Sequence, residues 1–478
     1  MLCKDFSYPT LMHYFEEISA IPRGSGHEEG IVAYLLRFAE ERGLASYTDE
    51  YKNVLIRMPA SKGYEEKAPV LLQGHTDMVC EKNRGVNHDF LTDPLKLYLE
   101  DGWLRAEGTT LGADDGVAVA VMLALLDGAS EAHPALECLF TSCEETGMDG
   151  AIGFDYGRLY ARRMINMDGC DDRTVLTGCA GGLRSQIELP VASESYAGKV
   201  LTLSIGGLAG GHSGEDIHRG RANAIKLMGG VLVALCDRDP SLRLLSLCGG
   251  DKDNAIPREA VAVISVSDCA KAREGIVKAE KELRETLSEE DRGFFLSVTE
   301  SDREQAVLTR ESTERVIRLV QSAVSGVISM HPHFKEMVST SCNLGAIRAD
   351  GTGARAVSLF RSDREECLDE ACRTAERLAE ALGGSCHHPY RFPGWEYSEQ
   401  SEIREAYQMA YRVLYGKEIG LESIHAGLEC GVMKRAVPDM DMICVGPRVV
   451  NLHSPDEAMD VDSFARFFET VLLTLKLL

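Results

Sequence analysis

Over its first 170 residues the chain alternates two kinds of apolar pattern. Residues 11–21 and 28–41 carry apolar side chains at helical spacing. Residues 53–58, 69–73, 136–141 and 164–167 are short apolar runs of strand length. Residues 117–126 are apolar on nearly every face, which predicts a helix buried all round. Strands alternating with helices predict an α/β domain, a mostly parallel sheet sandwiched by helices. Functional groups in such domains gather beyond the carboxyl ends of strands. Polar clusters at His75, Glu144 and Asp168 each come just after an apolar strand.

From about residue 184 the rhythm changes. A strand at 200–205, a helix at 221–236, strands at 242–247 and 260–266, a charged helix at 270–287 and a strand at 294–298 follow in turn. The order β-α-β-β-α-β is the split, ferredoxin-like motif. A second, less complete half has a helix at 314–328, strands near 343–347 and 356–361, and a helix at 365–382. The expected organisation is a catalytic domain formed by 1–183 and 392–478. It is interrupted by an α+β lid or dimerisation domain, 184–391, with two ferredoxin-like halves. The segment PYRFPGWEYSE, from Pro389, reads as a return linker. A helix at 403–415, a Gly-rich turn at 425–431, a strand at 442–445 and a helix at 461–477 complete the chain.

Composition narrows the function classes. The 75 acidic residues outnumber the 51 Lys and Arg, for a net charge of −24. Such a surface repels phosphate backbones and anionic lipid, which argues against nucleic-acid and membrane partners. No apolar run approaches the ~20 residues of a membrane span. The N-terminal MLCKDFSYPTLMHYFEE lacks the basic and apolar regions of an export signal. The 15 cysteines include no C-x-x-C pair. Reduced thiols in a cytoplasm are the expectation, with Cys138, Cys236 and Cys444 as small core residues.

Five polar segments carry candidate chemistry. Gly74-His75-Thr76-Asp77 ends a strand, and its carboxylate could hold its imidazole, as metal-bound histidines commonly require. Leu111-Gly112-Ala113-Asp114-Asp115-Gly116 precedes the apolar helix. Helix capping alone could explain Asp115, but two adjacent carboxylates there are costly to bury without a cation. Ser142-Cys143-Glu144-Glu145 pairs two repelling carboxylates, and one on a metal with one free as a base is an economical division. Asn166-Met167-Asp168-Gly169 and Leu452-His453-Ser454-Pro455-Asp456-Glu457 complete the set. Each alone is equally readable as an ordinary turn or acidic loop. Cys143 and Cys170 lie nearby, but the carboxylates are the favoured ligands. Imidazole with carboxylate suits zinc, manganese or cobalt, and a shared carboxylate suits a two-ion centre.

GHTDM, LGADDG, SCEETG, NMDG and LHSPDE, in this order, resemble the co-catalytic zinc exopeptidases of the carboxypeptidase-G2, peptidase T and carnosinase group. Essentially the whole chain is covered, including HAGLECG at 425–431. Within the group it is most similar to bacterial dipeptidases that act on Xaa-His. The resemblance implies a dipeptidase using metal-activated water, with a small peptide as partner and a possible homodimer. It implies two divalent ions, zinc first, with manganese or cobalt as alternatives. His75 would bind one ion and Asp77 would orient it. Asp114 would bridge, Glu145 and Asp168 would ligate one ion each, and His453 would join Glu145 at the second. Glu144 would be the general base. A cis peptide between Asp114 and Asp115 is implied. In the lid, Gly211-His212-Ser213-Gly214 would supply His212 to the oxyanion, and Arg361 would clamp the substrate carboxylate. Asn254 would assist at the oxyanion or at that carboxylate, unless it is only a turn residue before a strand. Glu429 would receive the substrate ammonium, with a purely structural role the alternative for it and for His425. His331, His333, His387 and His388 are expected at surface or lid positions. The alternatives are an N-acyl amino acid deacylase on the same donors and a catalytically silent homologue. The latter is disfavoured because Glu144 and every ligand are present.

Overall fold

The all-apolar run forms the centre of the first structural layer. In the computed structural model, which describes residues 6–196, 198–301 and 306–478, it lies within helix Ala113–Leu126. Every residue from Asp115 to Leu126 is buried there. The first five residues of the N-terminal stretch considered for an export signal lie outside the described residues. The helix packs on helix Pro9–Ser19 and on strand Val70–His75.

That strand is central in an eight-stranded sheet. The order is Ala45–Thr48, Val54–Met58, Leu136–Thr141, Val70–His75, Arg163–Asn166, Asp441–Cys444, Thr174–Cys179, Gly420–Ile424. The four strands from Leu136–Thr141 to Asp441–Cys444 are parallel. Antiparallel neighbours flank them on both sides. Val70–His75 and Leu136–Thr141 are buried at every position, as strands covered on both faces must be. Helices Glu402–Tyr415 and Val461–Leu477 contribute Tyr407, Phe464, Phe467 and Phe468 to the same core.

Contacts divide the chain into two compact units. The first comprises Met1–Gly178, Tyr397–Ser423 and Leu428–Leu478, and the second Cys179–Glu396 with Ile424–Gly427. The second unit is built on an antiparallel nine-stranded sheet. Its order is Phe295–Ser301, Lys199–Gly206, Ala260–Val266, Arg243–Gly249, Val338–Asp350, Gly353–Ser362, Gly181–Leu189, Ser385–Phe392, with Gly326–Met330 added beside Val338–Asp350. Numbered by chain order within each half, both sets of four strands lie in the order fourth, first, third, second. Strand Gly181–Leu189 opens the second half but precedes the whole first half in sequence. One half is therefore nested inside the other.

Several elements differ from expectation. The helix placed at 314–328 is Arg310–Ser322, and 326–330 is a strand. Gly326 breaks the helical run and the β-branched Val327 and Ile328 favour extension. The supposed linker at Pro389 is still strand through Phe392. Pro389 is tolerated because it falls at a register shift on an outer strand. Helix Glu429–Ala436 starts inside the segment expected to be a turn. A small sheet of Val449–Val450, Ala458–Asp460, Trp103–Ala106 and Leu97–Glu100 was not anticipated. It brackets the loop that carries His453.

Candidate functional site

Three parallel strands end at one rim of the first unit's sheet, and each releases a polar segment there. Val70–His75 leads to Asp77, Leu136–Thr141 to Glu144 and Glu145, and Arg163–Asn166 to Asp168. Helix Ala113–Leu126 starts at the same rim, and the Asp114–Asp115 peptide is cis. Asp114 lies between two imidazoles. Its Oδ1 is 3.0 Å from His75 Nε2 and its Oδ2 is 3.2 Å from His453 Nε2. On the His75 side Asp168 Oδ1 is 3.8 Å away, and on the His453 side Glu145 Oε2 is 3.1 Å away.

Metal-ligating atoms of His75, Asp114 and Glu145 lie within 4.8 Å of one another, as do those of His75, Asp115 and Asp168. Asp115 is near enough to ligate, but both its oxygens are engaged. Oδ2 accepts the His75 backbone N–H and Oδ1 that of Ala118. It fastens the helix start to the strand end, which leaves Asp114 as the carboxylate facing both histidines.

The electrostatics suit a candidate cation site. Burial would raise Asp114, but hydrogen bonds from His453 and His75 hold it well below the carboxylate range. Burial, with Asp114 next, pushes Asp168 well up. Burial would lower His75, yet Asp114 and Asp77 outweigh it and hold its proton strongly. Hydrogen bonds to Asp114 and Glu145 push His453 up to about 10. Glu145 Oε1 is buried with no hydrogen-bond partner. A donor set of two imidazoles and several carboxylates with an unsatisfied oxygen fits divalent zinc, manganese or cobalt.

Glu144 sits beside this set, its backbone N–H bound to Asp77 Oδ1 at 3.1 Å. Burial raises it to about 8, with Glu429, Glu145 and Asp114 adding and His75 opposing. Glu429, 1% exposed, accepts from Gln73 Nε2 at 2.6 Å and from the Thr141 hydroxyl at 2.7 Å through Oε2, while Oε1 has no partner. Asn166 donates to Gln73 Oε1 at 2.6 Å, extending this buried network under the rim. Gln73 and Thr141 escape sequence analysis because they belong to apolar strands. Cys143 Sγ faces Glu28 Oε1 at 3.1 Å.

The residues expected in a lid form a second group, within the second unit. Strand Gly211–His212 pairs with Ala255–Ile256. The His212 backbone N–H donates to Asp216 Oδ2 at 2.8 Å, and His212 Nδ1 accepts the Glu215 N–H at 3.3 Å. Burial, then Arg361, lowers its pKa, and with Nδ1 accepting that N–H, Nε2 is the ring nitrogen left to donate. Asn254 engages this loop through its main chain: its carbonyl accepts the Ser213 N–H at 2.8 Å. Its side chain is exposed. Arg361 is 6% exposed and its Nε lacks a partner. His425 Nε2 is 2.7 Å from the Ser341 hydroxyl, and burial followed by Arg361 and His212 pushes it down to about 3. His331 is buried in this unit, with Nε2 3.3 Å from Asp363.

The sequence profile of peptidase family M20/M25/M40 matches residues 71–476. The cytosol non-specific dipeptidase of Escherichia coli (strain K12) is 36% identical over 470 residues, covering 98% of this chain and 97% of that protein. The crystal structure of aminoacylhistidine dipeptidase from Vibrio alginolyticus superposes with a TM-score of 0.93 at 34% identity, covering 100% of this chain and 98% of that one. Aminopeptidase PepT from Bacillus cereus, 14% identical, shares the fold with a TM-score of 0.57 over 99% of both chains.

Proposed function

The chain belongs to peptidase family M20/M25/M40, and we propose that it is a metal-dependent dipeptidase hydrolysing unblocked dipeptides, Xaa-His among them. The observation that carries this is Asp114 flanked by His75 and His453 on its two oxygens, with Glu144 alongside. Two divalent ions, zinc first, would be held by His75, Asp114 and Asp168 and by His453, Asp114 and Glu145. When bound they supply Lewis acidity and a water acidified toward neutrality.

The remaining steps fall to this chain's side chains. Asp77 holds the His75 ring. Glu144 takes a proton from the attacking water and returns it to the leaving amine. His212 donates through Nε2 to the oxyanion that develops on the carbonyl oxygen. Arg361 grips the terminal carboxylate with its planar fork, and Asn254 assists at the oxyanion or at that carboxylate. Glu429 offers its unpaired Oε1 to the substrate ammonium. A deacylase would use the same metal donors, but both near relatives carry dipeptidase names. We place the enzyme in the cytoplasm, following the name of the E. coli relative. Among the described residues no helix is long and apolar enough to cross a membrane. We take it to be a homodimer, which a monomer mass by light scattering would exclude.

The test is histidine release from β-alanyl-histidine and a panel of α-Xaa-His dipeptides, using chelator-treated protein with and without zinc or manganese. Metal-dependent release with N-acetylated analogues inert is expected. Release from the N-acetylated set instead would establish the deacylase.

A further inference from the structure

Two buried charges outside the ligand set clamp the turn that presents Asp114. Glu457, 3% exposed, directs both carboxylate oxygens at consecutive backbone N–H groups. Oε2 accepts from Leu111 at 2.8 Å and Gly112 at 2.9 Å, and Oε1 accepts from Ala113 at 2.8 Å and Asp114 at 3.3 Å. Arg23, 1% exposed, grips the same turn through the Gly112 carbonyl. Its Nη1 donates to the carbonyls of Thr76, at 2.9 Å, and Asp77, at 3.2 Å. A Cβ on Gly112 would lie 2.6 Å from Arg23 Nη2, and one on Gly116 2.7 Å away, so the guanidinium fills space that only glycines leave.

Burying a lone carboxylate or guanidinium is strongly unfavourable, and removing one partner of a buried pair leaves the other uncompensated. Glu457 is an opposite charge within electrostatic reach of Arg23. The arrangement persists because each charge is also spent on backbone groups of one turn. Glu457 lies four residues after His453, so one carboxylate joins the His453 loop to the Asp114 turn. Arg23 joins that turn to the His75 strand end.

We propose that Glu457 is a positioning residue for the metal centre: it sets the separation of His453 and Asp114, and thereby the affinity of the ion those two residues share. The inference rests on the assignment of His75, Asp114, Glu145, Asp168 and His453 as ligands. Outer partners of metal ligands typically change affinity by roughly 10–100-fold. Glu457→Gln keeps the shape but aims an amide at N–H groups that need an acceptor.

The experiment is zinc competition against a chromophoric chelator, with Co2+ absorption as a second readout, on the stripped full-length chain and on Glu457→Gln. The parent should bind two ions, and the variant should hold one of them roughly 10–100-fold more weakly. A parent that binds no ion overturns the ligand assignment itself. A parent that binds two, beside a folded variant with unchanged affinities, overturns the role of Glu457 alone. Should Glu457→Gln not fold, amide exchange on the metal-free parent decides. The Leu111, Gly112, Ala113 and Asp114 amides should stay protected without metal, and exchange at open-loop rates would refute the clamp.

Discussion

Asp77 holds the His75 ring from the side opposite Asp114. Its carboxylate Oδ1 lies 3.4 Å from His75 Nδ1 and its main-chain carbonyl 3.1 Å, while Nε2 faces Asp114 at 3.0 Å. The same carboxylate accepts the N–H groups of Glu144 and Glu145 and the Ser25 hydroxyl. One side chain thus orients the proposed ligand and anchors the proposed base. Asp77→Asn separates carboxylate from carbonyl, because only the former changes. Zinc affinity should fall roughly 10–100-fold and kcat with it, with KM little altered. Unchanged affinity in a zinc-competition titration would assign the orienting role to the carbonyl.

Groups that hold their protons more tightly in the fold than in the unfolded chain give the metal-free protein a distinctive pH dependence. Burial, as the main cause, pushes Glu144 up to about 8 and Glu429 up to about 7 from an ordinary 4.5. Hydrogen bonding pushes His453 from 6.5 up to about 10. In each case the native state binds the proton more tightly than the unfolded chain, so stability falls as pH rises. The contribution of Glu144 is lost between 4.5 and about 8, that of Glu429 between 4.5 and about 7, and that of His453 between 6.5 and about 10. The unfolding temperature of chelator-treated protein should therefore decline from pH 5 to pH 9. Zinc stabilisation should grow over the same range, since ligands must lose protons to bind it. Calorimetry on stripped and loaded protein measures both, and a difference independent of pH would contradict the scheme.

Most of the candidate site was legible in the sequence because its polar clusters stand out directly after apolar strands, or, at Asp114, directly before an all-apolar helix. That contrast survives without coordinates, as His75, Glu144 and Asp168 illustrate. Arg23, Gln73 and Glu457 were not readable. They act on main-chain groups or on distant side chains, and such bonds leave no spacing in the sequence. Glu457 lies inside a motif that was recognised, yet its partners are about 345 residues away. Among the elements, Leu97–Glu100 was missed because most of it is exposed and shows no buried face. Gly181–Leu189 was missed because two glycines and polar Arg184, Ser185 and Gln186 mask its alternation.

Arg361 is buried with a free Nε, and burial, followed by its charge, lowers the pKa of His212 and His425. A guanidinium in that setting should bind a carboxylate at about 1.5–3 kcal/mol per charge-assisted hydrogen bond. Arg361→Lys should raise KM for a dipeptide about tenfold or more without altering metal stoichiometry. A dipeptide amide should be a poor substrate for the parent and should respond little to the substitution. Equal losses on acid and amide would remove the carboxylate assignment and leave Arg361 a structural role.

The last prediction concerns how closely the sheet approaches the buried helix. A Cβ at Gly74 would lie 2.3 Å from both Ala118 Cβ and Asp115 Oδ2. Neither can swing aside: Ala118 has no rotamer to change, and Asp115 is tied to the N–H groups of His75 and Ala118. Gly74→Ala must push strand Val70–His75 away from helix Ala113–Leu126. Overpacking of this kind costs about 1–3 kcal/mol. The displaced strand carries His75 away from Asp114, so zinc affinity should fall together with the unfolding temperature. Gly230→Ala is the matched control, in helix Ala224–Arg238 with nothing near its added Cβ. It should stabilise by up to about 1 kcal/mol through helix propensity and leave zinc binding unchanged. If Gly74→Ala lowered the unfolding temperature but bound zinc like the parent, strand and helix could part without disturbing His75 and Asp114. The close approach would then serve packing and not the metal centre.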